Sequence, residues 1–266
     1  MAGQALQPCY VLHRRHYKES SLILDVFTLE QGKVSVIAKG GRKSKSQSIA
    51  WLQVFQPLLL SWTGRSDLKT LVSVEAPNKA FRLRGQATYC AYYANELVLK
   101  LLPAMAPNQE AFLAYSWCLE SLNHANKDLQ AQAFSLRTFE LQLLSSLGLL
   151  PDFSEDFLGE PIEEGNSYYL SSEMNFVPVA NNSQSSIIFQ GSDVLAVEQA
   201  LGHISSQGIE GIERFSEQLN RRNMRLLFMH LVDIALDGRT LSSRELLKQF
   251  VQERASIVKK NSKDAL

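Results

Sequence analysis

The cationic segment 39–48 is the stretch of this chain whose residue types point most directly to chemistry. It holds four cations, Lys39, Arg42, Lys43 and Lys45, with two glycines, three serines and no acid. Glycines let backbone N–H groups approach a phosphate, and Lys and Arg displace the counterions of a polyanion. The segment is therefore suited to a polyanionic ligand. The plainer alternative is a solvated surface loop.

Short strands flank the cationic segment and must position it. Alternating apolar residues predict strands at 9–12, 21–28, 34–39, 54–62 and 68–76. In the second of these, Leu22, Leu24 and Val26 share one face, with Asp25 on the other. Five strands within about seventy residues predict a small closed or partly open barrel of the OB type, in which strands two and three and two loops bind oligonucleotides.

Further cations accompany the predicted barrel. Lys33 and Lys39 fall on the outward side of the third strand, with Ser35 and Ile37. The first loop is predicted to carry three cations and the last turn two. The predicted nucleic-acid-binding set is Arg14, Arg15, Lys18, Lys33, Lys39, Arg42, Lys43, Lys45, Arg65 and Lys69.

Aromatic residues of the barrel segment offer stacking surfaces for bases. The candidates are Tyr17, Phe27, Trp51 and Trp62, and stacking on an aromatic ring tolerates any base. The alternative is that Phe27, Phe55 and Trp62 fill the core, since a small barrel needs large residues inside.

The net charge of zero conceals a strong asymmetry along the chain. Residues 1–80 carry 11 Lys and Arg against 5 Asp and Glu, and residues 214–266 carry 11 against 6. Residues 151–213 carry 11 acids and neither Lys nor Arg. Two basic segments that flank an acidic one indicate a protein with charged faces, which favours steering toward a polyanion.

The cysteines and the apolar pattern bear on the compartment. Cys9, Cys90 and Cys118 are widely spaced and no CxxC pair occurs, which predicts a reducing compartment and no cysteine zinc site. No run approaches the roughly 18 apolar residues of a membrane span, and residues 1–7 lack the cation and apolar core of a signal peptide. The predicted location is the cytoplasm.

From residue 81 the pattern becomes helical. Helices are predicted at 85–102, 108–122, 129–147, 193–202, 212–235 and 246–251, and a hairpin at 168–179. The predicted long helix at 212–235 exposes Arg221, Arg222 and Arg225, and Ser242 with Glu245 predicts a capping box. The predicted fold class is α+β. An OB-fold barrel (1–80) precedes a mostly helical domain (81–255) with a hairpin insert at about 151–180, and residues 256–266 form a disordered tail.

The sequence shows no contiguous catalytic motif. It lacks GxGxxG, Walker A and HExxH spacings. The sequence leaves open a nucleophile–base pair in which Cys118 or a serine contacts His124 or His230 in the folded chain. A binding protein without cofactor or metal is the prediction.

Several weak motifs occur along the chain in a consistent order. In the barrel they are the stretches 10–13, 19–28, 38–42, 56–60 and 68–71, and in the helices 95–97, 136–137, 139–141 and 243–246. Together these motifs resemble the RecO family of bacterial recombination mediators. The resemblance extends from residue 8 to about residue 250.

The resemblance implies an OB-fold followed by a mostly helical domain, and a protein that hydrolyses no nucleotide. Such a protein binds single- and double-stranded DNA, anneals complementary strands and, with RecR, helps load RecA on DNA coated by the single-stranded DNA-binding protein SSB. Many family members carry a four-cysteine zinc site at the position of residues 151–180. This chain has no cysteine there, so we predict a zinc-free variant whose hairpin is held by packing.

The resemblance also implies that the acidic, apolar-ended C-terminal tail of SSB docks on the helical domain. Such a tail requires an apolar pocket beside a cation. The predicted tail-binding residues are Leu136, Arg137, Phe139 and Leu141, with Arg137 as the carboxylate partner. The alternative for Arg137 is a surface ion pair with Glu140 or Glu96.

One alternative hypothesis is that the ligand is RNA and that the protein does not act in DNA recombination. A basic barrel with a helical appendage also suits an RNA-binding OB-fold protein of translation or ribosome assembly. Ligand preference and the response to SSB separate the two hypotheses.

Overall fold

The computed structural model describes residues 5–40, 50–77, 80–125, 127–179, 187–209, 211–219 and 221–263, with side chains described to residue 253. The strands of the first half are β1 (Gln7–Tyr17), β2 (Ser21–Thr28), β3 (Gly32–Ala38), β4 (Pro57–Thr63) and β5 (Leu68–Glu75). They close into a barrel in the order β1-β2-β3-β5-β4. The predicted five-stranded OB-like barrel is confirmed.

The barrel core follows from the alternation read in the sequence. Leu22, Leu24 and Val26 of β2 face Val34 and Val36 of β3 inside the barrel, and all five are buried. Since successive residues of a strand point to opposite faces, the intervening side chains of β3 face outward. Trp62 belongs to the same buried cluster, which supports the core alternative for that ring. Phe27 and Phe55 are also buried, but against Phe112 and Tyr92 of the following segments and outside that cluster.

The helices and the small sheet follow in the second half. They are α1 (Gln86–Leu101), α2 (Gln109–Ala125), α3 (Leu129–Ser146), β6 (Ser167–Leu170), β7 (Phe176–Pro178), β8 (Phe189–Gln190), α4 (Gly191–Gln207), a 3-10 turn (Ile212–Phe215), α5 (Ser216–Leu219), α6 (Arg222–Leu236) and α7 (Ser242–Lys263). The predicted α+β class is therefore confirmed. The hairpin β6–β7 forms as predicted and gains β8 on the other edge of β6.

Two predictions in this half are corrected. The single helix expected at 212–235 is broken into a 3-10 turn, α5 and α6, and Arg221 has an extended backbone (φ −58°, ψ 151°) where α6 begins. The final helix α7 is longer than predicted and extends to Lys263. The tail predicted as disordered at 256–266 overlaps this helix, and residues 264–266 lie outside the described part of the chain.

The chain divides into two compact units, Met1–Lys127 with Leu241–Leu266, and Asp128–Thr240. The first unit extends beyond the boundary predicted at residue 80 because α1 and α2 pack on the barrel. Asn95 of α1 donates from Nδ2 to the backbone carbonyl of Leu12 at 2.8 Å and accepts from the Tyr115 hydroxyl. Tyr10 and Phe27 of the barrel contact the rings of Phe112 and Tyr115.

Glu96 of α1 holds the N-terminus of α7 in the first unit. Its carboxylate accepts from the backbone N–H groups of Ser242 (3.0 Å) and Ser243 (2.8 Å) and from the Ser243 hydroxyl (2.6 Å). Lys100 lies 3.2 Å from the same carboxylate. The sequence instead predicted a capping box with Glu245, whose carboxylate accepts from Lys248.

Glu96 gives the first testable prediction. Partial burial would raise the pKa of Glu96, but the hydrogen bonds from Ser243 and Ser242 and the Lys100 ammonium outweigh it, so the pKa lies below its ordinary value of 4.5. A carboxyl with a lowered pKa stabilises the fold above its unfolded pKa and loses that contribution as pH falls through the folded value. We expect Glu96→Gln to lower stability by about 1 kcal/mol at pH 7.

Chemical denaturation of both proteins between pH 3 and 7 measures this effect. The difference between wild type and Glu96→Gln should be constant above about pH 5 and shrink below pH 4.5 as Glu96 protonates. Lys248→Ala is the matched control, because the Glu245–Lys248 pair on α7 is exposed. A pH-independent difference would contradict the assignment.

Candidate nucleic-acid interface and partner site

The carboxyl-terminal half of β1 is an exposed cationic strand. The buried part of β1 ends at Leu12, and every residue from His13 to Tyr17 is exposed while still paired with β2. Arg14 and Arg15 were predicted in the first loop, and this is corrected: they lie in β1, opposite Leu24 and Ile23 of β2. The strand continues past its apolar stretch because β2 offers a partner as far as Ser21.

The strand register gathers several predicted cations at one end of the barrel. His16 pairs with Leu22, and Leu22 pairs with Ala38, so the turn after β1 and the end of β3 lie at the same end. Lys18 stands in that turn and Lys39 directly follows β3, and both are exposed. Arg42, Lys43 and Lys45 follow Lys39 in the sequence and lie outside the described residues. We call this end, comprising Arg14, Arg15, Lys18 and Lys39, the basic end.

Two predicted cations lie elsewhere on the barrel. Arg65 is exposed in the turn between β4 and β5, and Lys69 is half-buried in β5. Because β5 runs parallel to β3 and begins opposite Ser35, the turn that carries Arg65 lies toward the opposite end from Lys39. The structure therefore does not bring Arg65 to the basic end.

Lys33 faces outward from β3 as predicted, but its ammonium is engaged. Lys33 Nζ donates to the backbone carbonyl of Leu99 near the end of α1, and the Lys33 carbonyl accepts from the backbone N–H of Met105. The side chain fastens the barrel to the helical layer. We therefore leave Lys33 out of the proposed interface.

Asp25 of β2 places a carboxylate opposite Ser35 of β3. Asp25 is partly exposed, accepts from the Ser35 hydroxyl at 2.7 Å and lies 3.6 Å from His13 Nδ1. His13 and His16 add imidazoles to the exposed strand. The alternation of His13, Arg15 and Tyr17 was the available signal, but it lacks the apolar residues that normally mark a strand.

The predicted tail-binding residues on α3 differ in how far they are buried. Leu136, Phe139 and Leu141 are buried, with Phe139 and Leu141 fully inaccessible. Their apolar side chains belong to the core of the second unit, so they leave only Arg137 for a partner. The helical period in the sequence identified the apolar positions of α3 without showing that neighbours cover them.

Arg137 makes the ion pair with Glu140 that sequence reasoning left open, at 2.6 Å between Nη1 and Oε2. Both side chains are largely covered, with 13% of Arg137 and 2% of Glu140 exposed. The guanidinium carbon lies 5.7 Å from the ring centroid of Phe228 on α6, and Arg137 Nε has no hydrogen-bond partner among the described residues. The Arg137 cation is thus held rigidly at the edge of an apolar core.

The residues at 151–179 do not fit the four-cysteine zinc site that the resemblance implies for other chains at this position. This stretch contains no cysteine, and the described residues hold no group of three His, Cys, Asp or Glu able to bind a metal. One oxygen of Asp152 accepts from Ser154 and from the Glu155 N–H, which lowers the pKa of that carboxyl. Phe153 packs on Phe176 at 5.6 Å between ring centroids, so apolar packing stabilises the hairpin.

Comparison with known proteins decides the family. A family model described as Recombination protein O N terminal matches residues 1–79, and one described as Recombination protein O C terminal matches residues 82–228. The chain is 36% identical over 244 residues to the DNA repair protein RecO of Methylococcus capsulatus, covering 91% of this chain and 93% of the relative. The chain belongs to the RecO family.

Further RecO relatives agree. The chain is 38% identical over 248 residues to the DNA repair protein RecO of Nitrosococcus oceani (92% of this chain, 93% of the relative). It is 34% identical over 261 residues to that of Vibrio parahaemolyticus (96% and 98%). The resemblance read from the motifs is confirmed, and the chain is a member of a family of DNA repair proteins. No helix in the described part of this RecO chain is long and apolar enough to cross a membrane.

Proposed function

We propose that this RecO-family chain is a recombination mediator of DNA repair. It binds single- and double-stranded DNA through the barrel, anneals complementary strands and, together with RecR, helps load RecA on DNA coated by SSB. It hydrolyses no nucleotide, needs no cofactor and acts in the cytoplasm at the nucleoid. The observation that supports this most directly is the basic end of the barrel, because annealing requires that two polyanions be brought together.

The proposed mechanism is charge screening without base reading. Arg14, Arg15, Lys18 and Lys39 are exposed on adjacent strand ends, where their cations neutralise phosphates and release counterions. Phosphate contacts position a strand without reporting its sequence. The sequence places Arg42, Lys43 and Lys45 shortly after Lys39, and their cations are proposed to contribute to the same DNA binding. Two complementary strands held with reduced repulsion are then free to pair.

Strand annealing and binding across a salt series test this proposal. For the wild type we expect the affinity for single-stranded DNA to fall linearly with the logarithm of salt concentration, with a slope of about −0.7 for each phosphate contacted. Annealing of complementary strands should be faster with the protein than without it. Selective binding of structured RNA, or no DNA binding at low salt, would overturn the proposal.

Recruitment by the SSB tail is proposed to depend on Arg137. Its guanidinium offers a cation beside the ring of Phe228, and the 13% of the side chain that stays exposed is where a tail carboxylate would approach. Replacing Arg137 alone would leave the buried Glu140 carboxylate without this cation and cost about 3–5 kcal/mol of stability. The fair test therefore removes both charges in Arg137→Gln/Glu140→Gln.

We expect this double variant to stay folded and to bind an SSB-tail peptide at least about 10-fold more weakly, because a charge-assisted hydrogen bond is lost. Fluorescence anisotropy with a labelled peptide measures this, and the thermal unfolding midpoint verifies the fold. Arg222→Gln serves as the control, since it removes an exposed cation at the start of α6. Unchanged affinity in a folded double variant would remove Arg137 from the site.

A further inference from the structure

Tyr17 differs from the other aromatic residues of the barrel in its exposure. It is the last residue of β1, and 38% of its surface is exposed. Tyr10, Phe27, Phe55 and Trp62 are all buried. Trp51, the remaining stacking candidate, is partly buried and packs against the barrel core. Among the described aromatic residues of the barrel, Tyr17 is thus the one whose ring is exposed enough to contact a ligand.

Two cations lie close to Tyr17 along the chain. Arg15 stands two residues before it on the exposed part of β1, and Lys18 follows it in the turn. The Lys18 ammonium lies 5.4 Å from the centroid of the Tyr17 ring. This cation lies over the ring, and the exposed 38% of Tyr17 remains accessible to another planar group. Lys39 belongs to the same end of the barrel through the register that joins β1, β2 and β3.

A structural role for the Tyr17 ring is weakly supported. The described rings of the barrel and of α1 and α2 make contacts with one another, and Tyr17 takes part in none of them. Its backbone pairs with Ser21 regardless of the side chain. Truncation of the ring should therefore cost little stability, so a loss of DNA binding in such a variant would not result from unfolding.

We infer that Tyr17 is a base-stacking residue that gives the basic end a preference for single-stranded over double-stranded DNA. A base in a single strand can leave its neighbours and stack on the exposed face of the ring, while the surrounding cations hold the adjacent phosphates. In a duplex both faces of every base are already covered, so the ring gains nothing there. This inference rests on the proposed DNA binding and adds the group that distinguishes the two forms.

The experiment compares Tyr17→Ser and Tyr17→Phe in the full chain. We expect Tyr17→Ser to bind a single-stranded oligonucleotide about 5- to 50-fold more weakly, and to bind a duplex of the same length within about 2-fold of wild type. The slope of affinity against salt should not change, because no charge is removed. Tyr17→Phe keeps the stacking surface and should retain wild-type affinity.

A direct readout separates stacking from general weakening. Fluorescence of an oligonucleotide carrying 2-aminopurine should change on binding to wild type and Tyr17→Phe, and much less at saturating Tyr17→Ser, because the probe reports base stacking. Leu113→Ser is the control, since it truncates an exposed apolar side chain on α2, and it should behave as wild type. The thermal midpoint of each variant should stay within about 2 °C of wild type, which corresponds to less than 1 kcal/mol.

The outcomes also distinguish this inference from the proposed function. Equal single-strand affinity of wild type and Tyr17→Ser would overturn the stacking role and leave DNA binding intact. An equal loss on single strands and duplex would also overturn it, because the ring would then act by shaping the surface. A wild-type protein that binds neither form at low salt would overturn both.

Discussion

Reversal of the loop charges, Lys39→Glu with Arg42→Glu, Lys43→Glu and Lys45→Glu, is expected to weaken binding of single-stranded DNA by at least about 100-fold at 0.1 M salt. Each phosphate contact with a single strand releases about 0.7 counterion, so four lost contacts alone remove a factor of roughly 100 to 1,000 at this concentration. The slope of log affinity against log salt should become shallower by about 3. Filter binding or anisotropy between 50 and 300 mM salt measures both quantities.

Annealing should fail together with binding in this variant, since the strands are no longer screened. The matched control is the neutral loop variant Ser44→Ala/Ser46→Ala/Ser48→Ala, which changes the same loop and keeps its charge. It should bind and anneal as wild type does. If the charge-reversed protein annealed DNA normally, the proposed barrel interface would be wrong.

The second large effect concerns the barrel as a separate domain. We expect a fragment of residues 1–80 to be unfolded or only partly structured. Without α1 and α2 the rings of Tyr10 and Phe27, buried in the chain, become exposed, and each costs about 1.5–3 kcal/mol. The Leu12 carbonyl also loses the Asn95 amide that it accepts from. These losses are comparable to the whole stability of a small domain, about 5–15 kcal/mol.

Circular dichroism and a thermal melt of the fragment measure this directly. A second fragment, Met1–Lys127 joined to Leu241–Leu266 through a flexible glycine-serine linker, restores the helical layer of the same compact unit. It should fold and unfold cooperatively. A cooperative transition in the 1–80 fragment near the midpoint of the longer one would show that the barrel is autonomous and that the boundary predicted at residue 80 is a true folding boundary.

The comparison between the two fragments also bears on where DNA affinity can be measured. The basic end lies on β1, β3 and their turns, so binding studies on the isolated barrel would mix unfolding with loss of contacts. The longer fragment keeps the first unit whole and is the better reference for the charge variants.

The sequence by itself determined the features that depend on local periodicity and charge. Alternation of apolar residues in β2 and β3 gave the strands, since one face of a barrel strand must be apolar to fill the core. Charge segregation and the run of Lys and Arg after β3 indicated a polyanion-binding surface. Motifs spread along most of the chain gave the RecO family, because their order and spacing are specific even where each motif is weak.

The tertiary structure alone decided what depends on contacts distant in the chain. The sequence predicted Lys33 as a phosphate ligand. In the structure its ammonium donates to the backbone carbonyl of Leu99, 66 residues away. Leu136, Phe139 and Leu141 have the composition of a docking pocket, but their neighbours in the second unit bury them. The N-terminus of α7 is capped by Glu96, 146 residues earlier, and not by its own Glu245.

The same reason explains why Tyr17 could not be singled out from sequence. Periodicity reports which residues share a face of one element, whereas exposure depends on which other elements cover that face. Phe27 and Tyr17 are equally good stacking residues by type, but Phe27 is buried against Phe112 of α2, whereas 38% of the surface of Tyr17 stays exposed. The residue types and their order thus fixed the kind of ligand, and packing between distant segments selected the side chains that can reach it.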